Sequence, residues 1–409
     1  MRVTSRSALD PRAIAILALL ALANACSPGS GSSSSPHPPI PSSPQSGPID
    51  SRATPETRAL FVNLRRLARE HVLFGHQDDL AYGYAWVAEP GRSDVKESSG
   101  SYPAVYGWEV SGLETDSPRN IDGVDFQRMR GWIAEGYRRG GVITISWHVN
   151  NPLTGRNAWD TTSAVATVLP GGARHEQFKV SLDKLASFLA TLRAPSKDGG
   201  TADAPIPVIF RPWHEMTGGW FWWGVPHTKG EEFAQLWRFT VEYLRDVKGL
   251  HNLLYAYAPN AAGPTGVDTY MAGYPGDAYV DVLGYDRYLD PPVSEAKIQT
   301  FTRELSWVVR QAESGGKIPA LTETGMNAVR DSSFWTGRLA RIIEGDSLSR
   351  RIAYVMVWRN ANRAIRNDDH FFAPYRGHQS EQDFRRLKAD PLFLFEDALP
   401  NLYRPASTR

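Results

Sequence analysis

The chain has 409 residues, of which 42% are hydrophobic and 22% are charged, as in an ordinary soluble globular protein. Its 45 basic and 44 acidic residues leave a net charge of +1, and no basic stripe is visible, which argues against binding nucleic acid or an anionic membrane by charge. The aromatic residues are unusually numerous, with 13 Trp, 16 Tyr and 16 Phe, and their flat faces suit sugar rings as well as protein cores.

The first 26 residues have the layout of a secretory signal. Residues 1–12 carry three arginines, residues 13–23 are apolar, and a small residue, Ala25, precedes the lone cysteine, Cys26. The apolar run is too short for a permanent membrane span. We predict that residues 1–25 are removed and that Cys26 becomes a lipidated N-terminus, although Ala23 stands where such signals usually have Leu; ordinary secretion with cleavage nearby is the alternative. We expect export across the inner membrane and a lipid anchor in the cell envelope, in the periplasm or on the outer membrane.

Residues 27–50 form a stretch rich in Ser and Pro, which cannot build a core and is predicted to be a disordered linker. A lone cysteine also excludes internal disulfides and CxxC metal sites. The remaining residues, 51–409, are predicted to form a single catalytic domain.

Short apolar runs alternate with longer helical patterns from residue 51 onward. The pattern predicts helices over residues 181–192, 231–247 and 294–313. It predicts strands over residues 71–75, 104–108, 142–147, 207–211, 252–258, 279–284, 319–323 and 352–358. Eight strands with intervening helices indicate an α/β fold, a (β/α)₈ TIM barrel, rather than an open doubly wound sheet, and no GxGxxG follows the first strand.

Polar and aromatic residues follow almost every predicted strand. The stretches concerned are FGHQDD (74–79), GWEV (107–110), SWHVNNP (146–152), RPWHEM (211–216), GYDRY (284–288), TETG (322–325) and WRNANR (358–363). In a TIM barrel, the carboxyl ends of all strands meet at one mouth, where active sites are built. We therefore expect these residues to share one site.

Two glutamates, Glu215 and Glu323, stand at the ends of the fourth and seventh predicted strands. Taken singly, each would more often be a surface residue. A carboxylate beside an apolar strand is costly unless it is paired or used, however. Hydrolysis of a glycosidic bond needs two carboxyl groups that flank the bond, and these two residues are the candidates.

The histidines raise the alternative of a metal site. His214 and Glu215 do not start an HExxH zinc motif, because its fifth position is Gly218. His76, His148 and His214 at one mouth would suit a metal, but we favour hydrogen bonding to a polar ligand. GxSxG and P-loop motifs are absent from the sequence. We predict no metal and no cofactor.

Tryptophans stand at several of the same strand ends. Trp147, Trp220, Trp222, Trp223 and Trp358 are candidates for stacking faces on sugar rings. Some of them must belong to the core, and we expect the middle of WFWW (220–223) to be partly buried.

The stretch RPWHEMTGGWFWWG at residues 211–224 resembles the signature of glycoside hydrolase family 26, the β-mannanases. SWHVNNP, GYDRY, LTETG (321–325) and VMVWRN (355–360) follow in that family's order and spacing. The resemblance covers roughly residues 55 to 400. It implies a β-mannanase, a mannan endo-1,4-β-mannosidase, with a (β/α)₈ barrel and a retaining, double-displacement mechanism.

The resemblance also implies roles for individual residues. Glu215 matches the acid/base and Glu323 the nucleophile, and His214 matches a residue that positions the nucleophile and the sugar. Tyr288, or its neighbour Tyr285, matches a tyrosine that hydrogen bonds to the nucleophile. The residues that it places beside the scissile bond, where sugar binds, are His148, Trp220, Asp286, Trp358 and Arg359. We expect burial among tryptophans to raise the pKa of Glu215, and donors from a tyrosine and a histidine to keep Glu323 charged.

The sequence thus predicts a monomeric enzyme that binds β-mannan or manno-oligosaccharides, does not bind nucleic acid, and meets a membrane only through its anchor. Two alternatives remain open. One is an enzyme of the same family that acts on another β-glucan or on β-1,3-xylan, and the other is a non-catalytic glycan-binding lipoprotein. The sequence leaves endo or exo action undecided.

Overall fold

The computed structural model describes residues 46–197, 203–260 and 267–405. The predicted signal peptide, Cys26 and most of the predicted linker lie outside the described residues. Ile49 and Asp50, at the end of that linker, contact the barrel: the backbone N–H of Ile49 donates to Asp281 Oδ1 at 2.8 Å, and His251 Nδ1 lies 2.7 Å from Asp50 Oδ2. The helices of the described part are all too short or too polar to cross a membrane.

Eight parallel strands form a closed barrel. Each strand pairs with the next along the chain, and the last pairs with the first through Leu73 and Tyr354. The strands are β1 Val72–Gln77, β2 Val105–Glu109, β3 Val142–Trp147, β4 Val208–Pro212, β5 Leu253–Tyr257, β6 Val282–Tyr288, β7 Ile318–Gly325 and β8 Tyr354–Val357. The predicted (β/α)₈ barrel is confirmed.

Amphipathic helices cover the outside of the barrel. The longer ones are α1 Pro55–Leu67, α2 Asp94–Ser99, α3 Phe126–Arg138, α4 His175–Ala190, α5 Gly230–Glu242, α6 Glu295–Ser314 and α7 Glu381–Ala389. Thr54 caps α1 by accepting from the Thr57 N–H, and Ser294 caps α6 in the same way, which satisfies N–H groups that a helix start leaves free. The predicted helix over 231–247 is present, its last turn being the π-helix Tyr243–Val247.

Shorter elements fill the connections. They are the helical turns Leu113–Thr115, Val165–Val168, Val225–His227, Val267–Tyr270, Asp277–Tyr279, Asn327–Val329, Trp335–Ala340, Arg341–Ile343, Arg363–Arg366 and Glu396–Ala398, the strand pairs Tyr82–Gly83 with Trp86–Val87 and Arg193–Pro195 with Asp203–Pro205, and the strand Phe393–Leu394, which pairs with β1.

The sixth strand differs from its prediction. The predicted range 279–284 begins too early, because Asp277–Tyr279 is a 3₁₀ turn, and ends too early, because β6 continues to Tyr288. Beyond a register shift after Gly284, β6 and β7 stay paired, with Asp286 opposite Glu323. Asp286, Tyr288 and Glu323 therefore lie on paired strands and not on loops, which fixes their backbone.

The barrel interior is tightly packed. A Cβ added to Gly75 in β1 would lie 2.8 Å from Val105 Cβ in β2, and one added to Gly107 would lie 2.6 Å from Met356 Sδ. Glycine at these positions lets Val105 and Met356 pack closely against the neighbouring strands. Large side chains of the same barrel, Trp108 and Tyr106 among them, are fully buried. Each such side chain contributes about 1.5–3 kcal/mol to stability, so the scaffold that carries the site is rigid.

Candidate active site

Glu323 lies in β7 with two strong hydrogen-bond donors. Arg211, from β4, donates through Nη2 to Glu323 Oε2 at 2.6 Å, and Tyr288, from β6, donates through its hydroxyl to Oε1 at 2.5 Å. Burial raises the pKa of Tyr288, and the Glu323 charge raises it further, so the tyrosine keeps the proton that it donates. The second donor is an arginine, and the expectation of a histidine in that place is wrong.

The alternative tyrosine points elsewhere. The hydroxyl of Tyr285 donates to Glu304 Oε2 at 2.8 Å on the helical side of β6. Successive residues of a strand face opposite sides, so Tyr288, three positions after Tyr285, faces the opposite side of β6 from it, as Asp286 does. Of the two tyrosines, Tyr288 is the one that contacts Glu323.

Asp286 lies beneath Glu323. Its Oδ2 accepts from Arg211 Nη1 at 2.5 Å and its Oδ1 accepts from Thr322 Oγ1 at 2.6 Å. The side chain has no exposed surface. Asp286 therefore bears on the cleft through Arg211, which it orients toward Glu323, and presents no free oxygen to a sugar in this structure.

Glu215 follows β4 in an unusual backbone conformation. Trp213 and Glu215 have φ angles of +52° and +54°, in a region that non-glycine residues seldom adopt and that costs about 1–3 kcal/mol per residue. The Glu215 N–H donates to the Ala258 carbonyl at 2.7 Å after β5, which helps to hold the turn. The strained turn aims Glu215 at the mouth while Trp213 enters the core, where it is fully buried.

The surroundings of Glu215 favour its protonated form. Burial raises the pKa of Glu215 well above its usual range, and the charge of Glu323 raises it further. Trp220 Nε1 donates to Glu215 Oε2 at 2.8 Å and partly opposes the rise. Glu215 and Glu323 thus interact electrostatically, yet Arg211 hydrogen bonds to Glu323 alone of the two. Two carboxyl groups in such different environments can serve as an acid and a nucleophile.

His148 and His214 join the site through Glu109, to which the sequence reasoning gave no role beyond its place in the stretch GWEV. Nε2 of His214 lies 3.2 Å from Nε2 of His148, whose Nδ1 lies 2.7 Å from Glu109 Oε2. Burial raises the pKa of Glu109, but the charge and hydrogen bonds of His148 outweigh it and bring the pKa to about 2. Burial lowers the pKa of His214, and the nearby Arg211 lowers it further. His214 is therefore neutral, and Glu109 fixes the orientation of the pair.

His76 does not join these histidines. Its Nδ1 pairs with Asp79 Oδ1 at 2.8 Å, and Ser93 donates to the same oxygen at 2.9 Å. Within residues 46–197, 203–260 and 267–405, no group of three or more His, Cys, Asp or Glu is arranged to hold a metal ion.

The candidate tryptophans divide into two sets. Trp147, Trp222 and Trp223 are fully buried, so their proposed role as stacking faces is wrong. Trp222 Nε1 donates to the Val149 carbonyl and Trp223 Nε1 to the His214 carbonyl, and these bonds fasten the loop after β4 to the barrel. Trp220 is 41% exposed, and Trp358 is half-buried with its ring 6.3 Å from that of His148.

A further exposed tryptophan, Trp159, was missed by the sequence reasoning. It is 48% exposed, and its ring stacks on that of His148 at 5.3 Å with an interplanar angle of 11°. Trp159 lies in a loop far from any predicted strand end, so its position in the sequence carried no signal. Together with Trp220 and Trp358 it gives the cleft three accessible aromatic faces.

Arg359, after β8, belongs to an acidic cluster at the same mouth. Its Nε lies 2.7 Å from Asp122 Oδ1. Beside it, Tyr82 donates to Asp78 Oδ2 at 2.6 Å. Burial raises the pKa of Asp78, and the charge of Asp122 raises it further. The sequence reasoning gave Arg359 a role of its own, but it included Asp78 only within the stretch FGHQDD and did not name Asp122.

Comparisons with known proteins agree with the barrel fold and identify the family. The model of glycosyl hydrolase family 26 matches residues 49–337. A mannan endo-1,4-β-mannosidase of Bifidobacterium adolescentis is 37% identical over 355 residues, which are 82% of this chain and 34% of the relative. This chain therefore spans about a third of the length of that relative.

Two solved structures are similar over nearly the whole chain. A family 26 β-mannanase from Bacteroides ovatus has 40% identity and a TM-score of 0.79, covering 87% of this chain and 99% of that one. A modular endo-β-1,4-mannanase from Cellulomonas fimi has 34% identity and a TM-score of 0.78, covering 88% of this chain and 79% of that one.

Proposed function

The chain belongs to glycosyl hydrolase family 26, and from this premise we propose that it is a β-mannanase that hydrolyses β-1,4-mannosidic bonds with retention of configuration. Support for the substrate comes from the mannan endo-1,4-β-mannosidases and β-mannanases among its relatives. The mechanism rests on one observation: Glu323 has two strong donors, Arg211 and Tyr288, whereas Glu215 is half-buried and has a raised pKa.

In the first step, Glu323 attacks the anomeric carbon while Glu215 donates its proton to the glycosidic oxygen. The bond from the anomeric carbon to that oxygen breaks, a glycosyl–Glu323 ester forms, and the leaving sugar departs with the proton. The raised pKa of Glu215 keeps that proton available near neutral pH. Arg211 and Tyr288 hold the attacking carboxylate in one orientation, and correct orientation is a large part of catalysis.

In the second step, Glu215, now ionised, takes a proton from a water molecule that attacks the anomeric carbon. The ester bond breaks and Glu323 leaves as a carboxylate, so the developing negative charge is stabilised by the same two donors. No metal or cofactor takes part in either step.

The sugar would lie against the aromatic and polar walls of the cleft. Trp220, Trp159 and Trp358 offer exposed faces for pyranose rings. His148 and Arg359 offer polar groups at the same mouth, and neutral His214 lies beside His148. We assign Asp286 an indirect part, through the orientation of Arg211.

The proposal is tested by measuring reducing sugars released from mannan by the purified protein and by its Glu215→Ala and Glu323→Ala variants. We expect activity in the parent and near-total loss in both variants, with NMR of the first products showing the β anomer. Activity on lichenan or β-1,3-xylan but not on mannan would retain the mechanism and overturn the substrate. A folded protein that binds mannan and cleaves none of the three would be a glycan-binding protein.

We also propose that the protein is exported and lipidated at Cys26, as its N-terminal sequence suggests. Labelling of growing cells with a radioactive fatty acid should mark the parent and leave a Cys26→Ser variant unmarked. A parent that carries no label would reduce the proposal to ordinary secretion.

A further inference from the structure

A basic groove lies at the base of the barrel, on the face opposite the candidate active site. Its cavity of about 300 Å³ is lined by five basic side chains and one glutamate: Arg65, Arg66, Arg69, Lys317, Arg351 and Glu313. The first three come from the end of α1 and the turn that leads into β1, and Lys317 and Arg351 come just before β7 and β8. All six thus stand before the amino ends of strands, whereas Glu215 and Glu323 stand at carboxyl ends.

Two of these cations, Arg66 and Arg69, form no ion pair with the one acidic residue that lines the groove. Glu313 Oε1 is 2.6 Å from Arg351 Nη2, which uses the lone glutamate of the lining. Arg66 and Arg69 are exposed, and their side chains make no hydrogen bond or ion pair with any residue of the part that the structure describes.

Two of the cations that line the groove are partly or fully buried. Arg65 is half-buried, and burial followed by the charge of Arg69 lowers its pKa. Lys317 is buried, and its Nζ donates to the Val280 carbonyl at 2.8 Å. An anion in the groove would relieve the repulsion among these cations, and arginines that can bind two oxygens each suit the tetrahedral oxygens of a phosphate.

We propose that this groove binds the phosphate of an anionic lipid headgroup. Ser46, the first described residue, also lines it, so the groove lies where the N-terminal segment joins the barrel. Cys26, the proposed site of lipidation, lies twenty residues before Ser46. A membrane at this face would leave the cleft on the opposite side open to polysaccharide. The proposal concerns a second site and does not depend on the proposed hydrolase activity.

The test uses the full chain with Cys26→Ser, so that no acyl chain contributes, and measures co-sedimentation with lipid vesicles. Vesicles that contain phosphatidylglycerol are compared with vesicles of phosphatidylcholine alone. One basic residue near an anionic surface changes partitioning about five-fold, so Arg66→Gln with Arg69→Gln should weaken binding to phosphatidylglycerol vesicles about 25-fold. The matched control replaces two exposed arginines outside the groove, Arg128→Gln with Arg303→Gln.

Preference for phosphatidylglycerol, loss in the groove variant, retention in the control and weakening with added salt would support the proposal. Equal losses in both variants would overturn it, because the attraction would then be non-specific. Binding of inorganic phosphate, measured by calorimetry, without any preference for phosphatidylglycerol vesicles would overturn the headgroup as the occupant. The groove variant should hydrolyse soluble mannan at the parent rate, which separates this test from that of the hydrolase.

Discussion

Replacing Tyr288 by Phe removes one hydroxyl from the wall around Glu323. That hydroxyl donates to Glu323 Oε1 at 2.5 Å and keeps its proton because burial and the Glu323 charge raise its pKa. A hydrogen bond to a charged group contributes about 1.5–3 kcal/mol. If the whole contribution is expressed in the transition state, kcat should fall roughly 10- to 150-fold.

The Tyr288→Phe substitution should slow mainly the second chemical step, in which the glycosyl–Glu323 ester is hydrolysed. Glu323 gives up charge when it attacks the sugar and regains charge when the ester breaks, so the donated hydrogen bond strengthens as the carboxylate leaves. In the Tyr288→Phe variant the glycosyl–Glu323 ester should therefore accumulate. We expect kcat and KM to fall together, with a burst of the first product in rapid-quench measurements on a manno-oligosaccharide with an activated leaving group.

Tyr285→Phe is the matched control. It removes a hydroxyl from a buried tyrosine of the same strand, but that hydroxyl donates to Glu304. This variant should lose about 1–3 kcal/mol of stability and keep its kcat. Equal losses of kcat in the two variants, or a Tyr288→Phe variant at the parent rate, would refute the assignment of Tyr288 as the donor to a charged nucleophile.

Three further predictions follow from the same site. Trp220→Phe removes a donor that lowers the pKa of Glu215, so the alkaline limb of the plot of kcat/KM against pH should move to higher pH. Trp159 is an exposed tryptophan without that bond, so Trp159→Phe should leave the alkaline limb in place. The pKa of Glu109 is about 2, because the interactions with His148 outweigh the effect of burial. Ionised Glu109 therefore contributes about 3 kcal/mol to the free energy of unfolding above pH 4.5, and this contribution is lost as the pH falls through 2. Urea unfolding of Glu109→Gln should accordingly depend less on pH between 4.5 and 2. Arg211→Gln leaves two buried carboxylates without their cation and should cost about 3–5 kcal/mol of stability, seen as a lower midpoint of urea unfolding.

The sequence was sufficient to predict the barrel because eight apolar runs alternate with amphipathic helices, and few folds accept that pattern. It also indicated which strand ends carry Glu215 and Glu323. It was less informative about strand ends. The predicted sixth strand stopped at residue 284, because the polar residues that follow suggest a loop, yet β6 continues to Tyr288 through its pairing with β7. The polarity of a segment does not show whether its backbone pairs with that of a distant segment.

Side-chain direction in the aromatic stretch could not be predicted either. Strand or helix periodicity predicts which residues face inward, but residues 217–224 form turns and follow no period. Trp213 and Glu215 have left-handed φ angles, which interrupt the alternation of β4. In the turns that follow, Trp222 and Trp223 pack inward while Trp220 remains at the surface. The basic groove escaped notice for a related reason, since its cations come from three separate segments and form no stripe.

The different roles of Glu215 and Glu323 follow from the balance of positive and negative charges around them. Glu215, Glu323 and Asp286 are three carboxyl groups in one buried region, and Arg211 is the cation that hydrogen bonds to two of them. If all three were ionised, the region would hold two uncompensated negative charges, which is costly in a low dielectric. Protonating the carboxyl group that has no bond to Arg211 relieves this cost with the least loss of hydrogen bonding. That group is Glu215, which therefore holds the proton that the acid must donate. Burial also raises the pKa of Asp286 to about 8, which reduces the negative charge that remains beside Arg211.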